Sequence, residues 1–159
     1  MEYNIVERVA YFMHSCGQDL DEHKPDQVSL YIGLIAEELR GVVSALAERG
    51  GALDDISLRN LRSDTIPALD YLAGLGKRGA LSDMVASADQ AELLYGFIDC
   101  AIVSLGAAIS SSPDAESAVE EVLAANDAKV SGGLDENGKI QKPAGWVPPD
   151  LSGFVYKNS

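Results

Sequence analysis

The chain has 159 residues, 47% of them hydrophobic, which is enough for one domain with a real core and too apolar for wholesale disorder. Twenty-five acids against 12 bases leave a net charge of −13, which opposes binding to a nucleic-acid backbone but leaves a free nucleotide open, because a bound cation inverts the local sign. The N-terminus Met1-Glu2-Tyr3-Asn4-Ile5 lacks a signal peptide's basic and apolar regions. No unbroken apolar run reaches the roughly 18 residues of a membrane span, so a soluble, cytoplasmic protein with no membrane partner is expected.

Residues 4–15 carry Ile5, Val6, Val9, Ala10 and Met13 at helical spacing, with Asn4 as N-cap. After a polar turn the next helical run covers 25–49, with Pro25 in its first turn and Gly50-Gly51 as its stop. Residues 51–81 suggest two short helices broken near Ser63 to Pro67. A long apolar-periodic run follows over 82–110, despite Gly96 and Gly106, which lower helix propensity and so call for a packing or site reason. Ser112-Pro113-Asp114 then reads as the start of a last helix reaching about Val130, with Ser112 as N-cap. Beyond it the chain turns rich in glycine, proline and lysine, and Asn137-Gly138 predicts a tight hairpin between 134–136 and 139–141. Cys16 and Cys100 lack metal-ligand or redox spacing and are expected as reduced core residues.

The acids carry the chemistry. An ionised carboxylate is costly to bury unless it pairs or binds metal, and Glu37, Glu38, Asp89, Glu92 and Asp99 all stand in apolar helical runs. Glu92 and Asp99 are seven apart, hence about 20° from alignment and about 10 Å along a helix, while Glu37 and Glu38 diverge by about 100°. Acids converging from two helices would make a hard-cation site. The plain alternative is an exposed polar stripe on an amphipathic helix. In the tail, Lys139, Lys142 and Trp146 crowd a short stretch of an otherwise acidic protein; lysines can close over phosphate and a tryptophan can stack on a base or simply anchor the arm.

These residues resemble a known family. Asp99, Gly106-Ala107, Ala125-Asn126, Lys129, Gly138-Lys139, Lys142-Pro143, Gly145-Trp146 and Pro148 follow the pattern of compact all-α nucleoside triphosphate pyrophosphohydrolases of the MazG type, phage members included. The family includes phosphoribosyl-ATP pyrophosphohydrolase-like enzymes. The resemblance covers about a third of the chain well and extends loosely to Glu37-Glu38. It implies a bundle of four or five helices over 1–130, with 51–81 inserted between the metal-binding helices, and a phosphate-contacting loop and tail over 131–159 of the same domain. It further implies Mg²⁺ or Mn²⁺ on Glu37, Glu38, Glu92 and Asp99, with Glu37 or Glu38 as catalytic base. Substrate contacts from Asn126, Lys129, Lys139, Lys142 and Trp146 follow, as does a homo-oligomer, dimer or tetramer.

The chain departs from the family pattern where Gly41 and Gly96 replace two acids. The expected activity is hydrolysis of a (deoxy)nucleoside triphosphate to monophosphate and pyrophosphate, in the cytoplasm of the cell or of a phage's host. The room left at 41 and 96 leans toward a purine such as (d)GTP. The alternatives are a dUTP-type pyrophosphatase, a catalytically impaired nucleotide-binding or scaffold member, and a helical adaptor that offers its acidic face to a basic partner.

Overall fold

Asn4 opens helix α1 (Ile5–Ser15): its side chain accepts from the Glu7 amide at 3.0 Å while the Glu7 carboxylate accepts from the Asn4 amide at 2.9 Å. This reciprocal capping box satisfies two amide donors that a helix start otherwise leaves without a partner. The computed structural model describes residues 4–18, 20–49 and 55–156, and over these the protein is all-α. Two expected features, the Gly50-Gly51 stop and Leu53, lie outside the described residues.

The chain divides into two compact units. One contains His23–Ser87 with Glu136–Lys139; the other contains Met1–Glu22, Ala88–Asp135 and Ile140–Ser159. The hairpin tip therefore belongs with the first unit and the rest of the tail with the second.

The first unit is built around α2 (Pro25–Arg49), followed by α3 (Asp55–Asn60), a π-helical turn (Leu61–Thr65), α4 (Ile66–Lys77) and α5 (Ser82–Ser87). The break expected near Ser63 to Pro67 is that π turn, and helical backbone runs through it at both junctions. The crossing of α2 on α4 depends on Gly33 and Gly76. A Cβ on Gly76 would lie 2.4 Å from the Gly33 nitrogen, and a Cβ on Gly33 would lie 2.8 Å from the Ala73 carbonyl oxygen. Backbone touches backbone here, which only glycine permits. Ser29 and Leu30 are fully buried beside this crossing. The Ser29 hydroxyl donates to the Gly76 carbonyl at 3.1 Å and accepts from the Leu81 amide at 3.3 Å, so its burial leaves no polar atom unsatisfied. At the far end Arg62 donates to the Ala47 carbonyl at 2.6 Å, serving the last turn of α2.

The second unit holds α1, α6 (Gln90–Ser111) and α7 (Ala115–Asp127), with the tail on them. The run expected over 82–110 is divided before α6, because Asp89 caps the new helix by accepting from the Ala91 and Glu92 amides at 2.8 and 3.1 Å. Asp114 rather than Ser112 caps α7, accepting from the Ser117 amide. The Ser112 hydroxyl instead donates to the Phe154 carbonyl at 2.6 Å and ties down the tail. An ion pair from Arg8 to Glu120, with Asp127 at 3.7 Å, joins α1 to α7. The tail hairpin forms as an isolated antiparallel bridge, Leu134 with Ile140, and Gly138 takes the positive φ that its turn requires. Cys16 is buried as expected, but Cys100 is exposed: it stands on α6, a helix with no buried residue.

Candidate functional site

Helix α6 is apolar, yet it lies open. Leu94, Tyr95, Ile98, Ile102, Leu105 and Ile109 are all exposed, and their spacing places them within about 100° of one another on the helix, the width of a core-facing stripe. Half-buried Leu93 and Phe97 stand on another side. Glu92 and Asp99, both exposed, border the open stripe. The helix is about 33 Å long at 1.5 Å per residue, and its mean hydropathy over 18 residues is 1.8 with none of that window buried. By length and composition it could cross a membrane, which no unbroken apolar run in the sequence had indicated. A shallow apolar cleft of about 250 Å³ runs between α6 and α7, lined by Leu105, Ile109, Ala115 and Val119.

Helix α2 repeats the pattern more narrowly. Exposed Ile35, Leu39, Val42 and Leu46 fall within about 60° of one another. Glu38 borders this stripe and is exposed, whereas Glu37 points the other way, toward α4. There its two carboxylate oxygens take two ammonium groups: Lys77 of α4 reaches Oε1 at 2.6 Å, and Lys139 of the hairpin tip reaches Oε2 at 3.1 Å. Partial burial pushes the Glu37 carboxyl up, but the hydrogen bonds from Lys77 and Lys139 outweigh it and hold the group below the ordinary glutamate value. Glu37 stands one turn beyond Gly33, and Lys77 directly follows Gly76, so the glycine crossing positions this pair.

The remaining tail residues meet in the second unit. Trp146 donates through Nε1 to the Ala125 carbonyl at 2.8 Å, near the C-terminal end of α7. The Lys129 and Lys142 ammonium groups stand 5.1 and 4.4 Å from its ring centroid, and Lys129 donates to Asn126 Oδ1 at 2.7 Å. Trp146 therefore anchors the arm, and two lysines stand over its ring.

The predicted residues thus fall into three groups, Glu37 with Lys139, Glu92 with Asp99 on α6, and Asn126, Lys129, Lys142 and Trp146 at the end of α7, while Glu38 stands apart on the exposed side of α2. Among the described residues, neither unit by itself gathers three His, Cys, Asp or Glu side chains into a cation-sized group. The donors are nonetheless all carboxylate oxygens, the chemistry that Mg²⁺ and Mn²⁺ take. Lys77 was not foreseen; its only sequence signal was a lysine in the last turn before Gly79. Comparison with family models, curated proteins and solved structures finds no match to this chain.

Proposed function

We propose that this protein hydrolyses a (deoxy)nucleoside triphosphate to monophosphate and pyrophosphate in a divalent-metal-dependent reaction. The observation that supports it best is Asp99, a carboxylate at the edge of an apolar stripe that demands a cover. A contiguous exposed face of this kind marks an interaction surface. Covering it with a second copy of the chain would leave Asp99 and Glu92 dehydrated, and buried carboxylates require a cation. In this reading the protein is a homo-oligomer, a dimer or a tetramer.

Glu37, Glu38, Glu92 and Asp99 would hold Mg²⁺ or Mn²⁺, which neutralises triphosphate charge and lowers the pKa of bound water. Lys129, Lys139 and Lys142 contact phosphate oxygens, Asn126 contacts sugar or phosphate, and Trp146 shields the site. Glu38 is the better base for the attacking water's proton, because two lysines weaken Glu37 as a base. Open space at Gly41 and Gly96, where a Cβ would meet nothing within 4 Å among the described residues, favours a purine such as (d)GTP.

A second reading places α6 in a bilayer, on the strength of its length and hydropathy. Asp99 near its middle opposes this, at about 2.5–3.5 kcal/mol for an ionised group at the centre of a membrane helix. The deciding experiment is ion-exchange analysis of products across the common NTPs and dNTPs with Mg²⁺, Mn²⁺ or EDTA. Metal-dependent monophosphate and pyrophosphate support the enzyme. Tight nucleotide binding without turnover supports a sensor or scaffold, and co-sedimentation with lipid vesicles supports the membrane reading.

A further inference from the structure

We infer that Lys77 and Lys139 form an oxyanion-binding pair that takes a phosphate group of the triphosphate, with Glu37 as the residue that positions both ammonium groups rather than as a ligand of the cation. This rests on the triphosphate reading and revises it at one residue, leaving the cation to the other carboxylates. It also adds Lys77, from the segment between the two acid-bearing helices, to the substrate contacts.

The lining of Glu37 supplies the reason. Its two carboxylate oxygens face two ammonium groups, Lys77 at 2.6 Å and Lys139 at 3.1 Å, and among the described residues no second carboxylate joins it in a cation-sized group. A divalent cation there would meet two positive charges with one carboxylate to hold it, whereas an oxyanion meets a positive excess. Glu37 keeps the two like charges together, and the bonds from both lysines hold its carboxyl below the ordinary glutamate value, so it stays ionised between them at neutral pH. An ammonium carries three donors; among the described residues, Lys77 gives one to Glu37 and keeps the others for an incoming oxygen. The Lys77 and Lys139 side chains are 28 and 34% exposed, so an anion reaches both from solvent without either leaving Glu37. Backbone contacts fix both lysines. Gly33 against Gly76 sets the end of α4 beside Glu37, and Gly138 at the hairpin tip, whose Cβ would stand 3.8 Å from buried Leu30, seats Lys139 on α2. All of these residues lie in one unit, and donors held in place beforehand lose less freedom when a ligand binds.

Isothermal calorimetry of the full chain at neutral pH tests this with two probes. The first is inorganic tripolyphosphate in EDTA. Lys77→Met should bind it about tenfold more weakly than wild type, the scale of one charge-assisted hydrogen bond, while Lys77→Arg keeps the charge and stays within a few-fold. Arg40→Met removes the neighbouring ion pair between α2 and α4, to Asp70, and should leave the affinity unchanged, which separates a phosphate contact from a merely structural lysine. The second probe is Mn²⁺ alone, which Glu37→Gln should bind as tightly as wild type does. Circular dichroism confirms the fold of each variant. Unchanged tripolyphosphate affinity in Lys77→Met, or an equal loss in Arg40→Met, overturns the pair, and weaker Mn²⁺ binding by Glu37→Gln returns that residue to the cation. Metal-dependent nucleotide turnover by a wild type that binds no tripolyphosphate would overturn the pair and leave the proposed function standing. Tripolyphosphate binding that depends on Lys77, in a chain that turns over no nucleotide, would keep the pair as an oxyanion site and overturn the function.

Discussion

Gly76→Ala tests the crossing on which the Glu37 site depends. The added Cβ would stand 2.4 Å from the Gly33 nitrogen, 2.5 Å from its Cα and 2.6 Å from the Ser29 carbonyl oxygen. All three are backbone atoms, so no side chain can swing aside and the two helices must separate. Overpacking of this kind costs about 1–3 kcal/mol, and contact with three backbone atoms argues for the upper half. Alanine's better helix propensity returns about 0.8–1 kcal/mol, leaving a net loss of about 1–2 kcal/mol. At about 2–4 °C per kcal/mol for a chain of this size, Tm should fall by about 2–8 °C. Gly41→Ala is the control: its Cβ meets nothing within 4 Å among the described residues, so propensity alone acts and Tm should rise by a few degrees. Thermal melts followed by circular dichroism at 222 nm, roughly the usual helical minimum, decide the sign. A Gly76→Ala protein at or above wild-type Tm would refute the close crossing, and with it the reason that Lys77 reaches Glu37.

Other outcomes follow from the same geometry. Glu37 is held below its ordinary value of 4.5, so its ion pairs contribute stability above that pH and lose it as pH falls through the lowered value; the Tm advantage of wild type over Glu37→Gln should shrink on acidification below 4.5, and an advantage that instead grows would contradict the pairing. Of the two thiols, exposed Cys100 should react quickly with a thiol reagent, whereas Cys16, buried and with its pKa raised by burial and by Asp127, should react slowly; equal rates would count against the packing of the α1 end. Ile98→Glu with Ile102→Glu should convert an oligomer to monomer in light scattering, since both residues lie in the open stripe of α6; an unchanged mass would place the subunit interface elsewhere. Trp146→Ala should destabilise the second unit by about 3–5 kcal/mol at most, less for its partial exposure, by removing the ring and its bond to Ala125; an unchanged Tm would make the tail a loose arm.

What could be read ahead was local. Asn4, Pro25 and the Asn137-Gly138 turn act through neighbours three or four residues away, and each appears in the structure much as its spacing suggested. Competing caps were harder to rank: Ser112 and Asp114 are both good N-cap residues, and the choice fell to Asp114 because the Ser112 hydroxyl is engaged by Phe154, 42 positions away. The division before α6 was hidden because Asp89 looked like one more acid on a stripe, when its carboxylate caps a helix. Long-range placement was legible only in the tail, where Lys139 meets Glu37 and Trp146 anchors the arm. Lys77 meets Glu37 across 40 positions through a glycine contact that carries no periodic signal. The apolar periodicity of α2 and α6 marked their stripes, but periodicity does not record whether a stripe is buried, and both lie exposed.

The central claim is that the carboxylates of α2 and α6 serve a metal-dependent triphosphate hydrolysis. Pyrophosphate release by wild type and by Asp99→Asn, measured with Mn²⁺ over all common NTPs and dNTPs, tests it most directly. The account predicts turnover by wild type that EDTA abolishes, and loss of turnover in Asp99→Asn with an unchanged helical spectrum, since Asp99 is exposed on a helix and its amide can stay there. Near-normal release by Asp99→Asn would contradict the metal assignment, and no release from any nucleotide by folded wild type would contradict the enzyme itself.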